Sequence, residues 1–361
     1  MEKQIEGRHC GLDTLFNKVS MKSSAVANFS TGPVNISKEV HAALASAPIS
    51  HRSKEFAHLF AETKNNLCAE FNTKNLFLLT GSGTLANEVM IGQIKNHGGT
   101  GLILSNGEFG LRLKEQARRA SLHFINYDLD WGETFDLEII ENKISQSNIA
   151  WVLFCHCETS TGVVNDLQNI TSLCTKHRCL CFVDCMSTIG MYSLDLSTVS
   201  MATASSGKGF ASVPGLSIIF SNIQPVASEQ TPMYVDLFFY TKTAGIPFTI
   251  SSNLISALHV SAKQKLRKDY FEVIDYYVKS CHKVLSERSM LPFCNENSHV
   301  LTMLNNSASD NLVETLKSQG IIISFESAYL IKRDLCQLAF FGYYESGELK
   351  KLFKTLQKVV C

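Results

Sequence analysis

NLFLLTGSGTLANEVMIGQIKNHGGTGLILSNGEFGLRLKEQARRA, residues 75–120, carries the pattern that decides the fold. Two short apolar runs, NLFLL (75–79) and GLILS (101–105), each pass through a glycine-containing turn into an amphipathic stretch, Leu85–Lys95 and Leu111–Ala120. Apolar runs without alternation are strands buried on both faces, and their alternation with helices predicts a mostly parallel sheet covered on both sides. The same rhythm continues through AWVLFCH (150–156), the helical stretch Leu167–His177 and LCFVD (180–184), then MATAS (201–205) and LSIIFS (216–221). The last two runs lie only about ten residues apart, too close for a helical crossover, which predicts a turn and one antiparallel strand.

Beyond residue 252 the character changes. A long helical stretch, Asn253–Arg288, precedes a short α+β tail that ends in a helix over Ser346–Val360. The expected fold class is α/β, with a large domain over 28–252 and a linking helix plus smaller C-terminal α+β domain over 253–361. Residues 1–27 are polar and aperiodic and are expected to form an arm.

Composition narrows the function. Of 361 residues 45% are hydrophobic and 18% charged, so a sizeable core can be buried. Lys+Arg and Asp+Glu both number 33, and a chain without basic excess has no counterion-release drive toward nucleic acid. Small molecules are the expected partners. The first twenty residues contain no apolar signal core, and no stretch approaches the ~18 consecutive apolar residues of a membrane helix. The twelve cysteines therefore read as reduced thiols of a cytoplasmic protein. Cys155/Cys157 and Cys179/Cys181 are spaced i,i+2, which puts each pair on one strand face, and no CxxC pair exists; buried packing rather than a metal site is expected. His156 alternates to the opposite face.

In open α/β sheets ligands gather beyond the carboxyl ends of the strands. After the first run comes Thr80-Gly81-Ser82-Gly83-Thr84, a glycine turn opening a helix, suited to an anion but lacking the Lys-Ser/Thr of a Walker loop. After 101–105 comes Phe109 between glycines, and after 150–156 the cluster Glu158-Thr159-Ser160-Thr161. Asp184 ends an apolar strand and needs a cationic partner, because burying an unpaired charge is costly. After 201–205 comes Ser206-Gly207-Lys208-Gly209. Singly these are ordinary turn residues. Together they match the needs of pyridoxal phosphate: a phosphate cup, a ring stack, a partner for the pyridine nitrogen and an amine for the aldehyde.

The residues also carry a resemblance. GPVNIS (32–37), PISHRSKEF (48–56), TGSGTLANE (80–88), NGEFGLRL (106–113), HCETSTGVVNDL (156–167), FVDCMSTIG (182–190) and SSGKGFASVPGLS (205–217) resemble the class-V aminotransferases of fold type I. The likeness is greatest to the 2-aminoethylphosphonate:pyruvate and alanine:glyoxylate branches, and it is colinear over about residues 28–355. It implies Lys208 as the residue that binds the cofactor's aldehyde and moves the proton, and Asp184 as partner of the ring nitrogen. It further implies Phe109 and Met186 against the two ring faces, Gly83 and Thr84 at the phosphate end, Thr159 near the ring oxygen, and Ser82 and Ser206 among the cofactor-binding residues. Thr249 resembles a threonine that reaches a neighbouring subunit's phosphate, which implies a homodimer. Gly32 falls on the substrate side.

One departure stands out. Where the family carries a substrate-binding arginine in a segment shaped like F-R-I-G, this chain has Cys336-Gln337-Leu338-Ala339. A neutral amide cannot supply the bidentate charged fork, a loss of about 2–3 kcal/mol toward an anionic substrate. Either Arg333 or Lys332 reaches in instead, or the substrate lacks that anion, or the reaction is another one of the same cofactor, such as a lyase or coupling reaction. A catalytically silent scaffold is the remaining reading, against which the intact Lys208 and Asp184 stand. Gly207 is a smaller departure, at a place where relatives often carry a polar side chain.

Overall fold

The computed structural model describes residues 26–293, 295–305 and 312–360. In chain order come β1 (Ala27–Asn28), α1 (Lys38–Ala45), α2 (Lys54–Glu70), β2 (Asn75–Thr80), α3 (Gly83–His97), β3 (Gly101–Ser105), α4 (Glu108–Arg119) and β4 (Phe124–Asp128). Then follow α5 (Leu137–Gln146), β5 (Trp151–Cys155), β6 (Cys157–Glu158), β7 (Val163–Val164), α6 (Leu167–Lys176), β8 (Leu180–Asp184), β9 (Met201–Ser205) and β10 (Leu216–Ser221). The remainder comprises α7 (Leu237–Thr241), α8 (Ser252–Lys265), α9 (Lys268–Ser286), β11 (Val300–Leu304), α10 (Leu312–Ser318), β12 (Ile321–Ile322), α11 (Ala328–Arg333), β13 (Leu335–Ala339) and α12 (Ser346–Val360).

A seven-stranded sheet in the order β2-β10-β9-β8-β5-β3-β4 forms the centre. Only β10 runs antiparallel to its neighbours, as the short β9–β10 connection requires. Along β5, Trp151, Leu153 and Cys155 pack with Ile91, Ile94 and Leu113 on one face, while Val152 and Phe154 pack with Ile140 and Ile170 on the other. Burial on both faces explains the unbroken apolar runs, each large side chain contributing roughly 1.5–3 kcal/mol. The edge strand β4, FINYD, has no such run because one side is solvated, and the sequence pattern passes over it.

The expected helix over 253–288 is in fact two helices. Leu266 closes α8 with φ −87° and ψ 12°, and Arg267 is extended with ψ 132°. No proline or glycine marks the break. The buried Lys265 turns its amine onto the Gly342 carbonyl at 3.0 Å, a tertiary contact that periodicity does not encode.

A second core forms where α9 and α12 cover the β11–β13 pair, with Ile274, Val278, Leu301, Leu338 and Leu352 inside. The segment 27–29 belongs to it: β1 pairs in parallel with β12, and Phe29 stacks on Tyr344 at 4.3 Å. Of the expected arm, residues 1–25 lie outside the described residues. Among the described residues no helix is long and apolar enough to cross a membrane.

Candidate active site

The carboxyl ends of β3, β5, β8 and β9 and the start of α3 meet at one sheet edge, around a cavity of about 120 Å³. Its walls include Gly83, Thr84, Asn87, Phe109, Arg112, Thr159, Asp184, Met186 and Lys208.

The start of α3 is built differently from those of α1, α2, α5 and α6. Ser37, Ser53, Asp136 and Asp166 cap α1, α2, α5 and α6 with side-chain oxygens. Ser82 makes no such cap on α3, and its carbonyl is held by the Ser217 hydroxyl at 2.6 Å. First-turn N–H groups thus remain for an anion, in a place where the helix dipole also favours one. Gly83 leaves the room here that Met186 fills: a Cβ would lie 2.5 Å from Met186 Sδ and displace that side chain.

One turn further along α3, Asn87 donates from Nδ2 to Asp184 Oδ2 at 2.7 Å, and Thr203 donates to Asn87 Oδ1 at 2.6 Å. The other Asp184 oxygen accepts from the Met186 backbone N–H at 2.9 Å. Burial pushes the Asp184 carboxyl above its usual range, opposed by these two donors and by the charge of Lys208. Burial likewise lowers the Lys208 amine, opposed by Asp184. The Lys208 Nζ lies 5.7 Å from the Phe109 ring centre and 5.6 Å from that of Phe341. An acid held on both oxygens, an amine eased toward neutrality and an anion cradle suit pyridoxal phosphate.

Phe109 owes its position to Glu158, a fully buried carboxylate. Glu158 accepts from the N–H groups of Phe109 (3.1 Å) and Gly110 (2.9 Å), and from both the N–H (3.1 Å) and the hydroxyl (2.5 Å) of Ser160. It therefore caps α4 from across the sheet edge, in place of Gly107, which has no side chain to do so and leaves room for the Glu158 stem. Thr159, beside it, exchanges a 2.5 Å hydrogen bond with Ser187. Cys155 and Cys157 both line the cavity, and His156 points away to Thr188 at 3.1 Å.

Several expected residues stand elsewhere. Ser206 spends its hydroxyl on the Val213 carbonyl (2.6 Å) and the Leu216 N–H (3.1 Å), and Ser205 lines the cavity instead. Gly207 has no side chain because a Cβ would lie 2.7 Å from Pro214. Gly32, at φ +140°, approaches the Gly207 carbonyl. Thr249 is exposed, among Tyr234 and Phe248 and apart from the cavity walls. Arg333 is exposed and lies over the Trp131 ring, 3.6 Å from its centre; Lys332 is exposed.

Gln337 is wholly buried, and each side-chain group has a partner. Its amide donates to the Thr159 carbonyl and to the Thr302 hydroxyl (2.9 Å), and its oxygen accepts from the Tyr329 hydroxyl at 3.0 Å. It is absent from the cavity wall. The sequence reading gave no role to Asn87, Tyr329 and Arg112, and named Glu158 only as part of a turn cluster. Arg112 sits one helical turn after Phe109, a spacing that was available as a signal.

The sequence profile of the class-V aminotransferases matches residues 34–231. A soluble hydrogenase 42 kDa subunit from Anabaena cylindrica is 32% identical over 246 residues, 64% of this chain and 64% of that protein. A 2-aminoethylphosphonate–pyruvate transaminase from Pseudomonas fluorescens is 30% identical over 196 residues, 52% of this chain and 53% of its own length. The chain thus spans less than two thirds of these relatives. The crystal structure of an aspartate aminotransferase from Thermus thermophilus superimposes with a TM-score of 0.82 at 24% identity, covering 92% of this chain and 98% of that one, a likeness of fold.

Proposed function

Because the chain belongs to the class-V aminotransferase family, we propose that it is a pyridoxal-phosphate-dependent aminotransferase acting on a small amine or amino acid and a carbonyl acceptor. The observation that carries this reading is the convergence of Lys208 and the doubly held Asp184 on one cavity that begins at an uncapped helix start.

Bound there, pyridoxal phosphate supplies a cationic pyridine ring conjugated to a carbonyl carbon, a sink for electrons from the substrate carbon. Lys208 holds the aldehyde end. Burial eases its Nζ toward the neutral form, and with the cofactor bound the same atom would take the proton from the amine-bearing carbon of the donor and pass it to the cofactor's former aldehyde carbon. Asp184 holds the ring-nitrogen end, and Asn87 and the Met186 N–H stop it from turning. Phe109, fixed through Glu158, and Met186 both line the cavity and would cover the ring of a bound cofactor. Gly83 and Thr84 would offer first-turn N–H groups to its phosphate. Thr249, exposed and apart from its own cavity, suits a two-fold homodimer in which it completes the partner's site. Residues 28–252 form the large cofactor domain in this reading, and 253–361 the smaller one.

Purified protein incubated with pyridoxal phosphate is expected to develop the visible band of lysine-bound cofactor, and Lys208→Ala is expected to lack it. Titration with alanine, 2-aminoethylphosphonate or an anion-free amine should convert that band to pyridoxamine phosphate. A Lys208-dependent band that no donor converts would exclude transamination. Absence of the band would overturn the cofactor assignment.

A further inference from the structure

The site holds a cation that the pyridoxal-phosphate chemistry does not use. Three charged side chains line the cavity: Asp184, Lys208 and Arg112. The first two are committed to the ring nitrogen and the aldehyde. The Arg112 guanidinium lies over the Phe109 ring, 4.6 Å from its centre, held by a cation–π contact, and no described residue forms an ion pair or hydrogen bond with it. Its planar fork is thus unspent.

Its neighbours say what it faces. Tyr329 packs edge-on to Phe109 at 6.1 Å and gives its hydroxyl to Gln337. Burial pushes the Tyr329 phenol up to about 12, and Arg112 is one of the charges that oppose the shift, so the two are electrostatic neighbours. Arg333 is further off, on Trp131, with Tyr329 between that ring and Phe109. Arg112 is thus a cation on the cavity wall that neighbours Tyr329, the hydrogen-bond partner of the shut-in Gln337.

Resting on the functional reading above, we propose that Arg112 is the specificity-determining residue that pairs with an anionic group of the substrate, a carboxylate or phosphonate, in place of a cation at position 337. A guanidinium grips such a group with two parallel N–H donors, which an ammonium cannot do. Substrates therefore carry an oxyanion after all, presented from the α4 side of the cavity rather than from β13.

The test is titration of cofactor-loaded protein with ethylphosphonate, an unreactive anion, read by the visible band and by tryptophan fluorescence, in wild type, Arg112→Gln and Arg112→Lys. The glutamine variant is expected to bind ethylphosphonate roughly ten- to a hundredfold more weakly, the lysine variant to recover part of the loss, and cofactor affinity to hold. With 2-aminoethylphosphonate as donor, the loss falls on KM rather than kcat, and discrimination over benzylamine collapses. Unchanged ethylphosphonate binding in Arg112→Gln would overturn the proposal. So would an equal loss of cofactor affinity, which would assign Arg112 to the cofactor's phosphate. Failure of the functional reading shows separately, as a wild-type protein without the lysine-bound band; Arg112 is then judged by fluorescence titration of the unloaded protein, where equal binding by wild type and Arg112→Gln overturns it.

Discussion

The side-chain amide of Gln337 donates to the backbone carbonyl of Thr159, 178 residues earlier in the chain. This bond joins strand β13 of the C-terminal part to the loop that follows β6. An amide engaged by Thr159, Thr302 and Tyr329 is a buried tie between layers. Gln337→Met keeps the volume and removes all three partners. The expected cost is about 2–4 kcal/mol, seen as a lower urea midpoint with an unchanged slope. No loss of stability would mean that the amide is not needed there.

Glu158 accepts from three backbone N–H groups that have no other partner in the loop geometry. Glu158→Ala leaves buried donors unmet and is expected to lose about 3–5 kcal/mol in denaturant unfolding. Glu158→Gln is expected to be destabilising too, since its NH2 group would face N–H donors. Wild-type stability in the glutamine variant would contradict the capping role.

Gly83 opens the anion cradle because a Cβ there crowds Met186. In Gly83→Ala, Met186 moves into the cavity, and pyridoxal phosphate is expected to bind about tenfold or more weakly by absorbance titration. The helix itself gains from alanine by up to about 1 kcal/mol, so the cofactor-free protein should melt no earlier than wild type. Equal loss of both would point to a folding defect instead.

His156 and His299 are buried, and desolvation lowers each to about 4. In the unfolded chain both take protons near 6.5. Between those values the unfolded state binds more protons, so stability falls as pH drops from about 6.5 to about 4, by up to about 3 kcal/mol for each histidine. The raised carboxyls of Asp184 and Glu158 act in the opposite sense, which makes a substitution the clean readout. His299 stacks on Tyr192 at 4.4 Å, and its Nδ1 has no partner among the described residues. His299→Phe keeps the stack and should flatten the fall in melting temperature between pH 7 and pH 5, leaving the His156 share. An unchanged slope would remove His299 from the account.

What could be read from the sequence was whatever local chemistry dictates. Strands 101–105, 180–184, 201–205 and 216–221 were legible because burial on both faces demands unbroken apolar runs. Asp184 stood out because a charge at the end of such a run is an anomaly that only a partner resolves, and Lys208 only as one of a set of turn residues at the same sheet edge. The antiparallel β10 followed from a connection too short for a crossover.

Tertiary structure alone decided the rest. The break at Leu266–Arg267 sits beside a contact between Lys265 and Gly342, far apart in sequence, and no residue type at the break announces it. The capping of α4 by Glu158 and the exchange of Ser206 for Ser205 at the cavity depend on which way side chains turn once strands and loops are in register. Whether position 337 faces substrate or is shut in depends on Thr159, Thr302 and Tyr329 arriving around it. Residue type sets what a group can bond to. Which bonds it makes is set by the neighbours that folding brings within about 3 Å, and hydrogen bonds that short-ranged leave no periodic trace along the chain.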